Sequence, residues 1–400
     1  MSDKLEGAYE RLAAWCRDRN YEGHDPFDGL NSRLFQSTPL KNSRVARLAW
    51  TQLFKRSPFN LRGVTGVPAE KNSKGTALFA LAALARFRRE RTKGAEAEAR
   101  TFLRELLAAR LDGFSSAAWG YNFDWQGRAF FAPRGTPTIV PTAFAARALV
   151  EAALAFNDDS FLQTARSACD FILRDLNRSE ETEDEVCWSY SPLDHTCVLN
   201  ASLLAAETLA RVSALTGEKD LSALAERGAR YVARRQRADG SWAYGGADFQ
   251  SWADNFHTAF VLTSLSRIMS VSEVARAEFT ETIKRGYEFW QKNFFLADGW
   301  PKYYHDRLYP ADAHSAGAAI VALLEMQNID KSAPKFAETV AVWSVDHLQD
   351  RLGFFCYQLR RFYSVRTPYM RWSQAWMMYA LARLLEERIQ DTGLRTQDSE

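Results

Sequence analysis

The segment DNFHTAFVLTSLSRI, residues 254–268, decides how the rest of the chain is read. It opens on Asp254, a side chain suited to closing the first turn of a helix. It continues with apolar residues on nearly every face, so the helix it predicts must be buried on several sides. Five more segments share the pattern of a small hydroxyl residue followed by Ala, Leu, Phe and Val at helical spacing: KGTALFALAALARF (74–87), VPTAFAARALVEAAL (140–154), DHTCVLNASLLAAETLA (194–210), DAHSAGAAIVALLEM (312–326) and RWSQAWMMYALARLL (371–385). Aligned on Thr76, Thr142, Thr196, Thr258, Ser315 and Ser373, successive repeats lie 66, 54, 62, 57 and 58 residues apart. That is room for two helices and two connections, and a near-constant period of this size marks a repeat architecture.

Between the apolar segments run amphipathic stretches rich in Arg and Glu, near residues 43–54, 96–109, 160–176, 221–236, 278–294 and 335–348. Their polar faces suit an outer layer. The pattern predicts an all-α fold, an (α/α)6 toroid of six helical hairpins over residues 43–390. An N-terminal helix and turn-rich segment (1–42) is expected to pack on it, and a flexible tail (391–400) to follow. Each outer stretch leads into a long connection and each inner one into a short connection, so the long loops share one face. Those loops hold most of the tryptophans and tyrosines, and loops held on a rigid scaffold commonly carry function.

Composition narrows the function. The 400 residues carry 51 basic and 49 acidic side chains, a formal net charge of +2, which gives no global field for nucleic acid or an anionic surface. The N-terminus lacks the pattern of a secretory signal and no apolar run is long enough to span a membrane. A cytoplasmic protein is expected. The five cysteines are odd in number and form no CxxC pair, which predicts free thiols rather than a disulfide framework or a zinc knuckle.

Candidate chemistry gathers where the inner helices begin, because free backbone N–H groups and helix dipoles there favour anions and hydrogen-bond acceptors. His195, His257 and His314 each stand directly before the shared Thr or Ser, with Asp194, Asp254 and Asp312 one to three residues upstream. Capping accounts for the Asp residues individually, but not for the histidines. No HxxxH or HExxH spacing points to a metal, and no cofactor is expected. Asp254 is the first choice of acid, with Asp194 or Asp312 as its partner. Paired carboxylates flanking a glycosidic bond can hydrolyse it, and the helix spacing suits the wider, inverting separation. Tyr121, Tyr190, Tyr244, Tyr303 and Tyr304, with histidine, suit proton abstraction beside a uronate carboxylate, which keeps lyase and epimerase chemistry open. Trp119, Trp125, Trp188, Trp242, Trp300 and Trp372 offer flat faces to sugar rings. Asp124 and Asn255 stand among these loops as further polar contacts. Arg360, Arg361, Arg366 and Arg371 could hold an anionic group on the substrate. His24, Asp25 and Asp28 sit in a Pro- and Gly-containing turn that could bring two more carboxylates to the same face.

This organisation resembles the six-hairpin glycosidase superfamily, which includes glycoside hydrolases, polysaccharide lyases and sugar epimerases with sites at the mouth of the ring. NYEGHDPFDGLNS near the start and GSWAYGGADFQSWADNFHTAFVL in the middle are similar to VpsJ-like bacterial proteins of exopolysaccharide biosynthesis, some of which carry the label δ-aminolevulinic acid dehydratase. That label implies a (β/α)8 barrel, which the repeat does not support. The second resemblance implies a glycan or glycan precursor as the ligand, and the four arginines of the last long loop would suit an anionic one. It raises Asp25, Asp28, Trp242, Tyr244, Asp254, Asn255 and His257 among the candidates. Gln236, Gly240 and Trp242 also fit the Q-x-x-x-G-x-W pattern of triterpene cyclases, where it implies a structural clasp. No DxDD motif accompanies it. Isoprenoid chemistry and a noncatalytic glycan-binding role stay open beside the enzyme.

Overall fold

The computed structural model describes residues 2–114 and 116–397. The helices are α1 (Ser2–Arg17), α2 (Arg33–Gln36), α3 (Arg44–Arg56), α4 (Arg62–Thr65), α5 (Ser73–Glu90), α6 (Lys93–Ala108), α7 (Ile139–Phe156), α8 (Asp159–Arg174), α9 (Leu199–Thr216), α10 (Lys219–Ala233), α11 (Asn255–Val271), α12 (Glu273–Phe294), α13 (Ala313–Glu325), α14 (Ala333–Leu348) and α15 (Trp376–Gln397). The odd-numbered helices from α5 to α15 pack each on the next, and α15 packs back on α5, closing an inner ring. Helices α6, α8, α10, α12 and α14 each lie outside the inner helix that precedes them. This is the (α/α)6 toroid that the repeat predicts.

The inner helices are built for close approach. From Ser73 to Ala85 every residue of α5 is buried, and α7, α9, α11 and α13 are similarly enclosed. Alanine at so many positions lets helices share neighbours on several sides. Among the described residues α7 is the one helix of at least 18 residues that is apolar enough to cross a membrane, and 67% of it is buried inside the ring. Its composition reflects its place in the core.

The sixth outer helix differs from the sequence reading. The stretch 43–54 was expected to open the outer ring, but α3 packs instead on the turn-rich segment and the first loop hairpin. The outer place is taken by α1, which packs on α14 and α15. Glu6 pairs with Arg89 of α5, and Lys4 with Asp346 of α14. Both stretches are amphipathic, and only α1 carries an apolar face large enough for the gap: Leu5, Ala8, Tyr9, Leu12 and Cys16 are buried, whereas α3 buries only Thr51 and Phe54. Helix α15 continues to Gln397, past the expected tail boundary at 391, and residues 398–400 lie outside the described residues.

The third repeat also shifts. α9 begins at Leu199 rather than near Asp194. The hydroxyl equivalent to Thr142 is Ser202, since Thr142 Oγ1 accepts from Trp119 N–H and Ser202 Oγ accepts from Trp188 N–H. Thr196 is therefore a loop residue.

The long connections lie on one face and form short antiparallel ribbons: β1 (Trp125–Gln126) with β2 (Phe131–Ala132), β3 (Arg178–Glu181) with β4 (Val186–Trp188), and the sheet β5 (Lys302–Tyr304), β6 (Arg307–Asp312), β7 (Gln358–Leu359), β8 (Ser364–Val365). Away from this face the inner helices are tied by ion pairs. Arg88 of α5 meets Glu151 of α7 and Glu386 of α15; Arg147 of α7 meets Glu207 of α9; Arg267 of α11 meets Glu207 and Glu325; Arg383 of α15 meets Glu325 and Glu386. The circuit passes through all six inner helices.

Candidate active site

Helix α11 begins at the loop face with Asp254 as its N-cap. Asp254 Oδ1 accepts from His257 N–H at 3.0 Å. Its Oδ2 lies 2.7 Å from His257 Nδ1 and accepts from Trp252 Nε1 at 3.2 Å. Asp254 is buried, while the His257 side chain keeps 22% of its surface open. A carboxylate against Nδ1 fixes the tautomer with its proton there, which leaves Nε2 as the basic nitrogen. His257 Nε2 makes no hydrogen bond among the described residues. A small cleft adjoins the pair, lined in part by Asn200, Tyr244, Asp254, His257 and Thr258. Asp254 thus serves as the residue that orients His257 rather than as a free acid.

Aromatic rings wall this pair. Tyr244 lies 4.6 Å from His257 and stacks at 4.8 Å on Trp252. Phe256 stands 4.0 Å from His257 and 4.5 Å from His314, so one phenyl ring separates the two imidazoles. His314 is fully buried among Phe256, Trp372 and Trp376, and neither ring nitrogen has a partner. Burial, with Lys74, Arg371 and His257 nearby, pushes its pKa well below the usual range and keeps it neutral. Burial pushes Tyr244 and Tyr303 up, so both hydroxyls stay protonated and can donate but not act as bases. The same holds for Tyr121, Tyr190 and the half-buried Tyr304.

The leading turn does return to this face, yet its carboxylates are committed. Asp25 accepts both arms of Arg371 at 2.6 and 2.8 Å, and Asp28 accepts from Arg62 Nε at 2.6 Å and from Asp25 N–H at 2.8 Å. His24 lies 3.4 Å from Asp28. The Arg371 guanidinium lies over Tyr121, whose hydroxyl is 3.3 Å from that of Tyr190, and Trp125 leans on Tyr190 at 5.1 Å. A second small cleft lies along Tyr21, His24, Asp25, Asn72, Asn122 and Arg371.

Several candidates do not reach an open site. His195 is exposed on a loop, and Asp194 closes its own turn by accepting from Ser191 and Thr196. The three-histidine register therefore reduces to His257 and His314. Asp312 is fully buried, accepting from His314 N–H, Ser315 N–H, Gln358 Nε2 and Trp372 Nε1. Burial lifts it to about 6 against those hydrogen bonds. Asn255 ties Lys302 O to Trp290 Nε1. Asp124 accepts from Arg134 N–H. Trp119, Trp188 and Trp242 are buried behind the inner ring. The Trp242 indole donates to Val232 O of α10, and a Cβ at Gly286 of α12 would come within 2.3 Å of it. Gln236 Nε2 donates to Gly240 O and Thr282 O, so the Q-x-x-x-G-x-W residues act as a clasp between α10 and α12. No three His, Cys, Asp or Glu side chains converge among the described residues.

Lys74, in the first turn of α5, also lies among these aromatic rings. It is buried, its Nζ lies 4.5 Å from the Phe144 ring centroid with Phe260 and Trp376 beyond, and burial with Arg371 nearby lowers its pKa well below normal. A Lys at the head of the apolar run Gly75–Ala85 is its signal in the sequence.

No family model matches the chain, and no curated protein matches it significantly in sequence. Solved structures do match in shape. A cellobiose 2-epimerase from Bacillus thermoamylovorans aligns with a TM-score of 0.60 at 14% identity, covering 80% of this chain and 90% of that one. An unsaturated glucuronyl hydrolase specific for heparin aligns at 0.63 and 15%, covering 97% of each. A family 76 glycoside hydrolase (mannosidase) from Bacteroides thetaiotaomicron aligns at 0.62 and 10%, covering 98% and 99%. At such identities the likeness establishes the fold alone, the (α/α)6 toroid.

Proposed function

We propose that the protein is a carbohydrate-active enzyme that moves a proton on a sugar or short glycan, with His257 as the acid–base group and Asp254 holding it. The observation that carries this reading is the 2.7 Å Asp254–His257 pair at the mouth of the ring, with the imidazole partly open and aromatic rings beside it. His257 Nε2 takes a proton from a carbon next to a carbonyl or carboxylate and the electron pair moves onto that oxygen; the proton is then returned to the neighbouring carbon to give an isomer, or to the opposite face of the same carbon, once the enolate has turned over in the site, to give an epimer. The tyrosine hydroxyls donate to the oxygen that gains charge. Hydrolysis by two carboxylates is less well supported, because Asp25, Asp28, Asp194, Asp254 and Asp312 all have their oxygens engaged by donors. The glycan-acting names of the structural neighbours support a carbohydrate ligand. A cytoplasmic role in exopolysaccharide production, on a precursor rather than the finished polymer, completes the proposal and rests on the two sequence stretches near 20–32 and 240–262.

The test is incubation with neutral and uronic-acid sugars in deuterated water, followed by mass and magnetic-resonance analysis. One deuterium gained at unchanged chain length is the expected result. His257→Ala should lower the rate by about 10²–10⁴-fold, the usual weight of a positioned acid–base group. Cleavage with gain of water would replace this reading with hydrolysis, and binding without turnover would leave a noncatalytic glycan-binding protein.

A further inference from the structure

Residues 29–69 hold seven Lys and Arg and no Asp or Glu, in a chain that is otherwise balanced. This stretch contains α3, the helix that does not join the outer ring. On α3 the exposed positions Val45, Ala49, Gln52, Leu53 and Arg56 fall at helical spacing on one face, which is mostly apolar and turned to solvent. Val45 is 75% exposed, Leu53 50%, and Phe59 just beyond the helix 75%. The β7–β8 hairpin tip brings Phe362, 85% exposed, alongside, since the Tyr363 hydroxyl donates to Arg56 O. Among the described residues Lys41, Arg44, Arg56 and Arg361 make no ion pair, so their charge faces outward unneutralised. The opposite side of α3 borders the mouth: Lys55 lies over Phe27, which contacts Trp372.

Singly protruding apolar side chains interleaved with unpaired basic ones do not resemble the core of a protein interface, where charge is depleted. They match a helix lying at a lipid headgroup boundary, where apolar groups insert between headgroups and Lys and Arg meet anionic lipid. We infer that the face formed by α3, Phe59 and the β7–β8 tip docks on an anionic phospholipid bilayer and holds the mouth of the toroid beside it. A substrate carried at that surface would then be delivered to the site without leaving the membrane. The inference stands on the surface alone and does not require the proton-transfer reading.

The test is flotation of the full chain with phosphatidylglycerol-containing vesicles and with phosphatidylcholine vesicles. Binding to the anionic vesicles should be at least about tenfold stronger and should weaken steeply between about 0.1 M and 1 M salt. Replacing Val45→Gln, Leu53→Gln and Phe59→Ser together, which leaves charge unchanged, should lower vesicle binding about tenfold without altering the melting curve or turnover of a soluble sugar. Lys41→Gln with Arg56→Gln should do the same and flatten the salt dependence. Equal or absent binding to both vesicle types overturns the inference. So does a concentration-dependent dimer that the triple variant abolishes while vesicle binding is untouched, which would make the occupant a second copy.

Discussion

Asp254 closes its helix and holds the proposed base, His257, with the same carboxylate, so these two roles can be separated by chemistry that keeps one of them. Asparagine caps a helix about as well as aspartate. Asp254→Asn should therefore cost less than about 1 kcal/mol in a urea melt, yet lower kcat/KM by about 10²–10⁴-fold, because the amide no longer fixes the tautomer of His257. A purely structural Asp254 would leave activity and stability to move together. This pair was legible in the sequence as the spacing DNFH. His314 looked equivalent, but with Asp312 two residues upstream instead of three its ring is turned into the aromatic core, and only its backbone N–H reaches the cap carboxylate. Lys74 and the arginine partners of Asp25 and Asp28 were not legible, because Arg371 meets Asp25 across 346 residues of chain.

At the scale of elements, the tryptophans of the long loops divide by what they pack against. Trp242 is wedged between α10 and α12, with Gly286 as the space it fills. Gly286→Ala gains helix propensity of about 1 kcal/mol but drives a Cβ into a buried indole, an overpacking cost of typically about 1–3 kcal/mol. The clash is severe enough to win, so the variant should unfold at lower denaturant while turnover per folded molecule is unchanged. A loss of turnover at full stability would return Trp242 to the site. Sequence alone marks Trp as a sugar platform or a packing wedge with equal ease. The choice is set by the neighbouring helix, where a glycine opens the slot. The exchange of α1 for α3 in the outer ring has the same origin, since amphipathicity says that a helix has a buried face but not which gap receives it.

At the scale of the molecule, the ion-pair circuit holds the inner ring together at the end away from the mouth. Glu325 illustrates its weight: burial pushes its carboxyl up, but Arg267 and Arg383 overcome this and hold it down at about 2. Its contribution is present above the ordinary glutamate pKa near 4.5 and is lost as the pH falls through about 2, a difference on the order of 3 kcal/mol. Glu325→Gln leaves two guanidinium groups short of a partner. It should destabilise the fold by about 3–5 kcal/mol at pH 7, and by much less at pH 2–3, as measured by chemical denaturation at the two pH values. An equal loss at both would mean that the circuit carries no charge-dependent stability.

The sixfold repeat, the inner helices, the shared face of the long loops and the Asp254–His257 pair were determined by the sequence itself. Each depends on residues within one turn or one period of each other, where apolar spacing and capping chemistry act locally. Tertiary structure alone decided which amphipathic helix completes the outer ring, which carboxylates are neutralised by distant arginines, and which tryptophans are walls and which are wedges. Those outcomes follow from contacts between segments tens to hundreds of residues apart, whose free energy is set by the shape of the gap and the charge already in it.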